Sequence, residues 1–138
     1  MNLAPHLNFG GNCKEAFRFY EQYVGGRITA MMTQADMPAA GRPPGIDLDA
    51  VAHARMTIGD AELIGNDVPA DRFQPMRSVY LYLTVDTPEE AERICAVLSE
   101  AGEVYMPLAE TFFAARFAML RDRFGVSWTL ICQRPQTP

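Results

Sequence analysis

Along the chain the spacing of apolar positions switches from two residues to about three and a half and back, and it does so twice. "LAPHLNF" alternates as a strand. "NCKEAFRFYEQYV" then sets Ala16, Phe17, Tyr20 and Val24 on one helical face. Asn12 and Glu15 predict a capping box at the start of that helix, and Gly25-Gly26 predict its end. "RITAMMTQ" reads as a strand. "DMPAAGRPPGIDLD" has no period and is rich in Pro and Gly, which predicts a mobile loop. "AVAHARMTI" and "AELIGN" are strands joined at Gly59-Asp60, a tight hairpin signal. Asp67 is expected to cap the turn that follows. "DVPADRFQPMR" reads as a linker.

The same plan then returns. "SVYLYLTV" alternates. Thr87, Pro88 and Glu90 open a helix with an N-cap, a first-turn proline and a capping-box partner. Ala91, Ile94, Cys95 and Leu98 form its apolar face, and Gly102 is expected to end it. "EVYMPLAETFF", "ARFAMLRD" and "VSWTLIC" supply three more strands, and the tail "QRPQTP" is expected to fray. Asn12-x-x-Glu15-Ala16 recurs as Thr87-x-x-Glu90-Ala91, so the chain reads as a duplication. The fold class expected is α+β. Two tandem βαβββ modules, residues 1–67 and 78–134 with a linker at 68–77, form curved mixed sheets around a cavity, with the helices on the outer face.

Composition narrows the function classes. The formal net charge is −5 with no basic run, which argues against a nucleic-acid partner or an anionic membrane surface. No apolar stretch is long enough to span a bilayer, and "MNLAPHLNF" lacks the features of a signal peptide, so a cytoplasmic protein is expected. Cys13, Cys95 and Cys132 are odd in number and far apart, and they read as reduced, mostly buried thiols. Only two histidines are present, and no nucleophile elbow, phosphate loop or paired-histidine helix motif appears.

Strand alternation sorts the faces. Leu7 and Phe9 point toward the helix, leaving His6 and Asn8 for the cavity. In "VAHARMTI", Ala52, Ala54, Met56 and Ile58 form the helix-facing side, leaving Val51, His53, Arg55 and Thr57. Val79, Leu81, Leu83 and Val85 go to the core, leaving Tyr80, Tyr82 and Thr84. Trp128, Leu130 and Cys132 go to the core, leaving Ser127 and Thr129. Glu110, beside "TFF", is a candidate second carboxylate. The expected ligand-binding set is His6, Asn8, His53, Arg55, Tyr80, Tyr82, Glu110 and Thr129. Its mixture of aromatic rings and hydrogen-bonding groups suits a small molecule of mixed polarity. His53 would be the candidate general base, with Arg55 for an anionic group.

"LNFGGNCKEAFRFY", "AHARMTIGDAELIGND" and "ETFFAARFAMLRDRFGVSW", with the spacing between them, resemble the vicinal oxygen chelate superfamily, and within it the PhnB-like branch. That superfamily includes glyoxalase I, bleomycin-resistance proteins and extradiol dioxygenases. The resemblance implies a divalent ion held by side chains from the first and last strands of each module. The matching positions fall near Ala4 or Pro5, between Glu62 and Asn66, at Tyr80 and at Thr129. Thr and Tyr are poor ligands for such ions, so His6 and Glu62 are the weak metal candidates and no metal is expected. Branch members have often been labelled methyltransferase-related, yet no glycine-rich nucleotide loop is present. The function expected is metal-independent binding of a small aromatic or mixed-polarity molecule in the inter-sheet cavity, by a homodimer, as in many relatives. The alternatives are a divalent-metal-dependent lyase, isomerase or dioxygenase of the glyoxalase type, and a protein-interaction module that uses the Pro/Gly loop.

Overall fold

The computed structural model describes residues 1–135; Gln136, Thr137 and Pro138 of the expected fraying tail lie outside the described residues. The order of elements is β1 (His6–Phe9), α1 (Cys13–Tyr23), β2 (Gly26–Thr33), β3 (Val51–Ile58), β4 (Ala61–Asp67), β5 (Tyr80–Val85), α2 (Pro88–Ser99), β6 (Glu103–Ala109), β7 (Ala114–Arg121) and β8 (Ser127–Gln133). Two four-stranded sheets form, with strand orders β1-β4-β3-β2 and β5-β8-β7-β6. In each, the first strand runs parallel to the last and the other pairings are antiparallel. This is the tandem βαβββ arrangement expected from the period changes. The chain divides into two compact units, Met1–Pro75 and Met76–Pro138.

In the first unit, α1 buries Cys13, Ala16, Phe17 and Tyr20 against its sheet. The helix comes close enough that a methyl group at Gly65 would lie 2.7 Å from the Phe17 ring. Phe17 also meets Phe9 edge to face, with centroids 6.3 Å apart. The expected linker is docked on this unit. Val68 N–H donates to the Phe9 carbonyl, and the Phe73 ring stands 3.0 Å from where a Cβ on Gly10 would be.

The helix start differs from the sequence expectation. Asn12 makes no side-chain capping bond. Asp67, at the far end of β4, fills that role: it accepts Gly11 N–H and Cys13 N–H at 3.0 Å on one oxygen and Val51 N–H at 2.9 Å on the other. The carboxylate is therefore tied to the start of α1 and to β3, and it does not cap the turn after β4. The Pro/Gly loop is tied as well. Gln34 and Ala35 N–H bond to the Ala50 and Leu48 carbonyls, and Arg42 donates to the carbonyls of Gln34, Ala35 and Met37. Val51, expected on the cavity face, is fully buried, because β3 bulges between Val51 and His53 and the alternation slips by one.

In the second unit, Thr87 Oγ1 accepts Glu90 N–H at 3.1 Å, as its local signal predicts. α2 buries Ala91, Ile94, Cys95 and Leu98. Its end differs from expectation: Ala101 takes the left-handed backbone at φ 58°, while Gly102 is needed for space, since a Cβ there would lie 2.3 Å from the Arg121 carbonyl oxygen. Ser78 is also left-handed, at φ 58°, so β5 begins at Tyr80 and Val79, expected in the core, is 70% exposed.

The turn between β7 and β8 is built on Asp122. One oxygen accepts Phe124 N–H at 2.9 Å and Val126 N–H at 3.0 Å, and the other accepts the Trp128 indole N–H at 2.9 Å. Gly125, at φ 89°, closes the turn. β8, central in its sheet, is buried from Ser127 to Cys132.

Replacing Asp67 or Asp122 by Ala strands buried backbone donors. Each variant is expected to lose about 3 kcal/mol of stability. Hydrogen exchange should show lost protection at Gly11, Cys13 and Val51 in Asp67→Ala, and at Phe124 and Val126 in Asp122→Ala. Unchanged protection would show that the carboxylates do not hold these turns.

Candidate functional site

Pairing register fixes which side chains share the face opposite each helix, because directly paired residues point the same way. In the first unit, His6 pairs with Ile64, Asn8 with Asn66, Arg55 with Ile64 and Thr57 with Glu62. His6, Asn8, His53, Arg55, Glu62 and Asn66 thus lie on one face. The polar groups there largely satisfy each other. His6 Nε2 meets Asn66 Oδ1 at 2.8 Å. Arg55 grips Glu62 with two bonds, at 3.1 and 2.7 Å. That grip holds the Glu62 carboxyl below its ordinary range, with a smaller contribution from His53. His53 is half-buried beside the β3 bulge.

At the positions where the resemblance places a divalent ion, the side chains are engaged with one another or are weak ligands. Glu62 has both oxygens engaged by Arg55, His6 is bonded to Asn66, and Tyr80 and Thr129 offer only hydroxyls. Among the described residues no group of three or more His, Cys, Asp or Glu is placed to share an ion.

In the second unit, Tyr80 pairs with Ser127, Tyr82 with Thr129, and Thr129 in turn with Met119. The face opposite α2 is therefore aromatic, hydroxyl-bearing and thioether-bearing. Ser127 and Thr129 form a buried floor at 4% and 6% exposure. Tyr80 on one edge strand and Tyr105 on the other bring their rings to 6.2 Å, although three strand spacings, ~14 Å, separate those strands. The two rings lean together over the floor. Tyr82 stands at 62% exposure beside them. Glu110 is not part of this group: it follows β6 and is paired at 2.8 Å with Arg134.

Sequence reasoning missed Tyr105, Met106 and Met119, and named Asn66 only as one end of the span that begins at Glu62. Alternation places Asn66 and Met119 once the strand register is known. Tyr105 sits at a bulge between Val104 and Met106, where alternation alone misassigns the face.

All three cysteines are free and buried. Burial, with the charge of Asp67 adding to it, pushes the Cys13 thiol from 9.0 up to about 12. The folded chain keeps that proton where the unfolded chain releases it. Stability from this group is complete below pH 9.0 and falls as pH rises toward about 12. Cys13 should resist iodoacetamide at pH 8 until urea unfolds the chain, and Cys13→Ala should flatten the alkaline fall of the urea midpoint. Fast labelling of the native thiol would contradict this.

Comparison with known proteins agrees with this geometry. A family model described as 3-demethylubiquinone-9 3-methyltransferase matches residues 1–131. The solved protein PA1353 from Pseudomonas aeruginosa is 38% identical over 98% of this chain and 99% of its own, with a TM-score of 0.88. A PhnB protein from Bacillus cereus is 28% identical over 96% of this chain and 99% of its own, with a TM-score of 0.80. Protein YjdN of Escherichia coli K12 is 28% identical over 94% of each chain. A glyoxylase/bleomycin resistance protein/dioxygenase domain from Frankia shares the fold at 11% identity and a TM-score of 0.67, over 97% of this chain and 98% of its own. The chain belongs to this PhnB-like family, described by its model as 3-demethylubiquinone-9 3-methyltransferase, and shares its fold with the glyoxylase/bleomycin resistance protein/dioxygenase domain.

Proposed function

We propose that this protein binds a small aromatic or mixed-polarity molecule, without a metal, on the face of its second sheet opposite α2. The observation that carries this reading is the Tyr80–Tyr105 pair leaning over the buried Ser127 and Thr129 floor. Such a site offers ring faces for stacking and hydroxyls for orientation. The donor sets at the superfamily's metal positions support the metal-free part, since His6 and Glu62 are engaged by Asn66 and Arg55.

The methyltransferase in the family description gains no support from the glycines of the β1–α1 turn. A helix start after a Gly-rich turn can cradle a cofactor's anionic group. Here the Gly11 and Cys13 N–H groups are already bonded to the protein's own Asp67 carboxylate. A homodimer belongs to the proposed reading. It is supported by the apolar side chains of Val79, Val104 and Phe112, which this chain leaves exposed, and sedimentation velocity checks it.

The test is thermal unfolding in EDTA against a panel of aromatic compounds. A ligand at about a hundred times its Kd stabilises the native state by about 2.7 kcal/mol, so a binder raises the midpoint clearly. Thr129→Val and Tyr80→Leu should each weaken a hit about tenfold. If no compound shifts the midpoint, or if shifts appear only with added Ni, Zn, Mn or Fe and vanish in His6→Ala, the metal-free reading fails.

A further inference from the structure

The face opposite α2 is graded from one end to the other. Register sorts it into three transverse rows. The first contains Tyr80, Ser127, Arg121 and Glu103. The second contains Tyr82, Thr129, Met119 and Met106. The third holds Thr84, Ile131, Phe117 and Ala109, and Phe113 extends it by packing edge to face on Phe117 with centroids 5.0 Å apart. Rows on one face are two residues apart, so the three span ~13 Å along the strands.

The polar end carries a cation. Arg121 Nε donates to the Gly125 carbonyl at 3.3 Å. Among the described residues no carboxylate forms an ion pair with Arg121, and its terminal nitrogens make no hydrogen bond. Glu103, its cross-strand partner, has Tyr105 Oη at 3.5 Å from one carboxylate oxygen. A half-buried guanidinium held by one backbone carbonyl has donors to spare for an oxyanion. The far end offers aliphatic and aromatic surface, with the Thr84 hydroxyl at its β5 edge as the polar exception.

We propose that the ligand of this face is an amphiphile with an anionic head, such as a carboxylate, at Arg121 and an apolar or aryl body running over Met119 and Met106 to Phe117. This deepens the proposed function and rests on it. The row spacing favours an elongated molecule over a compact one, since a short aryl acid that reaches Arg121 leaves the Phe117 row uncovered. The thioethers of Met106 and Met119 let the middle of the site adapt to the width of the body.

Calorimetric titration in EDTA tests it, using 4-phenylbutyrate, 4-phenylbutan-1-ol and phenylacetate as probes. The wild-type protein should bind 4-phenylbutyrate at least tenfold tighter than the alcohol, and also tighter than phenylacetate. Arg121→Gln should erase the preference for the acid, and an unchanged urea midpoint should show that the variant folds. Arg121→Lys should restore most of the preference. Phe117→Leu should weaken both phenylbutyl probes severalfold and leave phenylacetate unaffected. Equal binding of acid and alcohol by the wild-type protein overturns the anionic head while the proposed binding face stands. Binding of none of the three probes, with aromatic compounds still binding elsewhere on the chain, overturns both.

Discussion

A carboxylate taken out of water has to be met by hydrogen-bond donors, and each unit of this protein is organised around one such group. Asp67 gathers three backbone N–H groups from the β1–α1 turn, the start of α1 and the start of β3. Asp122 gathers two backbone N–H groups and the Trp128 indole at the β7–β8 turn. The duplicated units solve the same two local problems by different means. The second helix starts on its own Thr87, whereas the first depends on Asp67 from β4. The first hairpin turns on Gly59-Asp60 alone, with Gly59 at φ 55°, whereas the second turns around Asp122. These anchors set the strand registers, and the registers decide which side chains share a face.

That contrast explains what the sequence made legible. The two βαβββ modules, both helices and all eight strands follow from period changes and punctuation by Gly, Pro and Thr. Local signals acted locally: Thr87-Pro88 and Gly59-Asp60 do what their residue types predict, although the Glu90 side chain does not return the bond that would complete a capping box. The departures are remote or backbone-led. Asn12 looks like a cap, yet the capping oxygen comes from a residue more than fifty positions away. Bulges at Val51 and Tyr105 shift the alternation on which face assignments rest. Ser78 and Ala101 take left-handed backbone that neither residue type announces.

The site was partly legible for the same reason. Alternation grouped His6, Asn8, His53 and Arg55 on one face, and Tyr80, Tyr82 and Thr129 on another, and register agrees with both groupings. It could not show that the first group is largely self-satisfied, with Arg55 on Glu62 and His6 on Asn66, nor that Tyr105 comes across to meet Tyr80. The two sheets share a plan and differ in chemistry. The first spends its polar groups on one another. The second leaves rings, thioethers and an Arg121 that has no ion-pair partner among the described residues over a floor of small hydroxyls, which is why the binding role is assigned there.

The central claim is that binding occurs on the second sheet and needs no metal. Methionine methyl groups report both faces at once: Met106 and Met119 lie on the second sheet and Met32 on the first. Carbon-13 methyl spectra of the chelator-treated protein, titrated with 4-phenylbutyrate, test the claim most directly. The account predicts that the Met106 and Met119 signals move while Met32 stays fixed. Movement at Met32 with Met106 and Met119 unchanged, or no movement until a divalent metal is added, would contradict it.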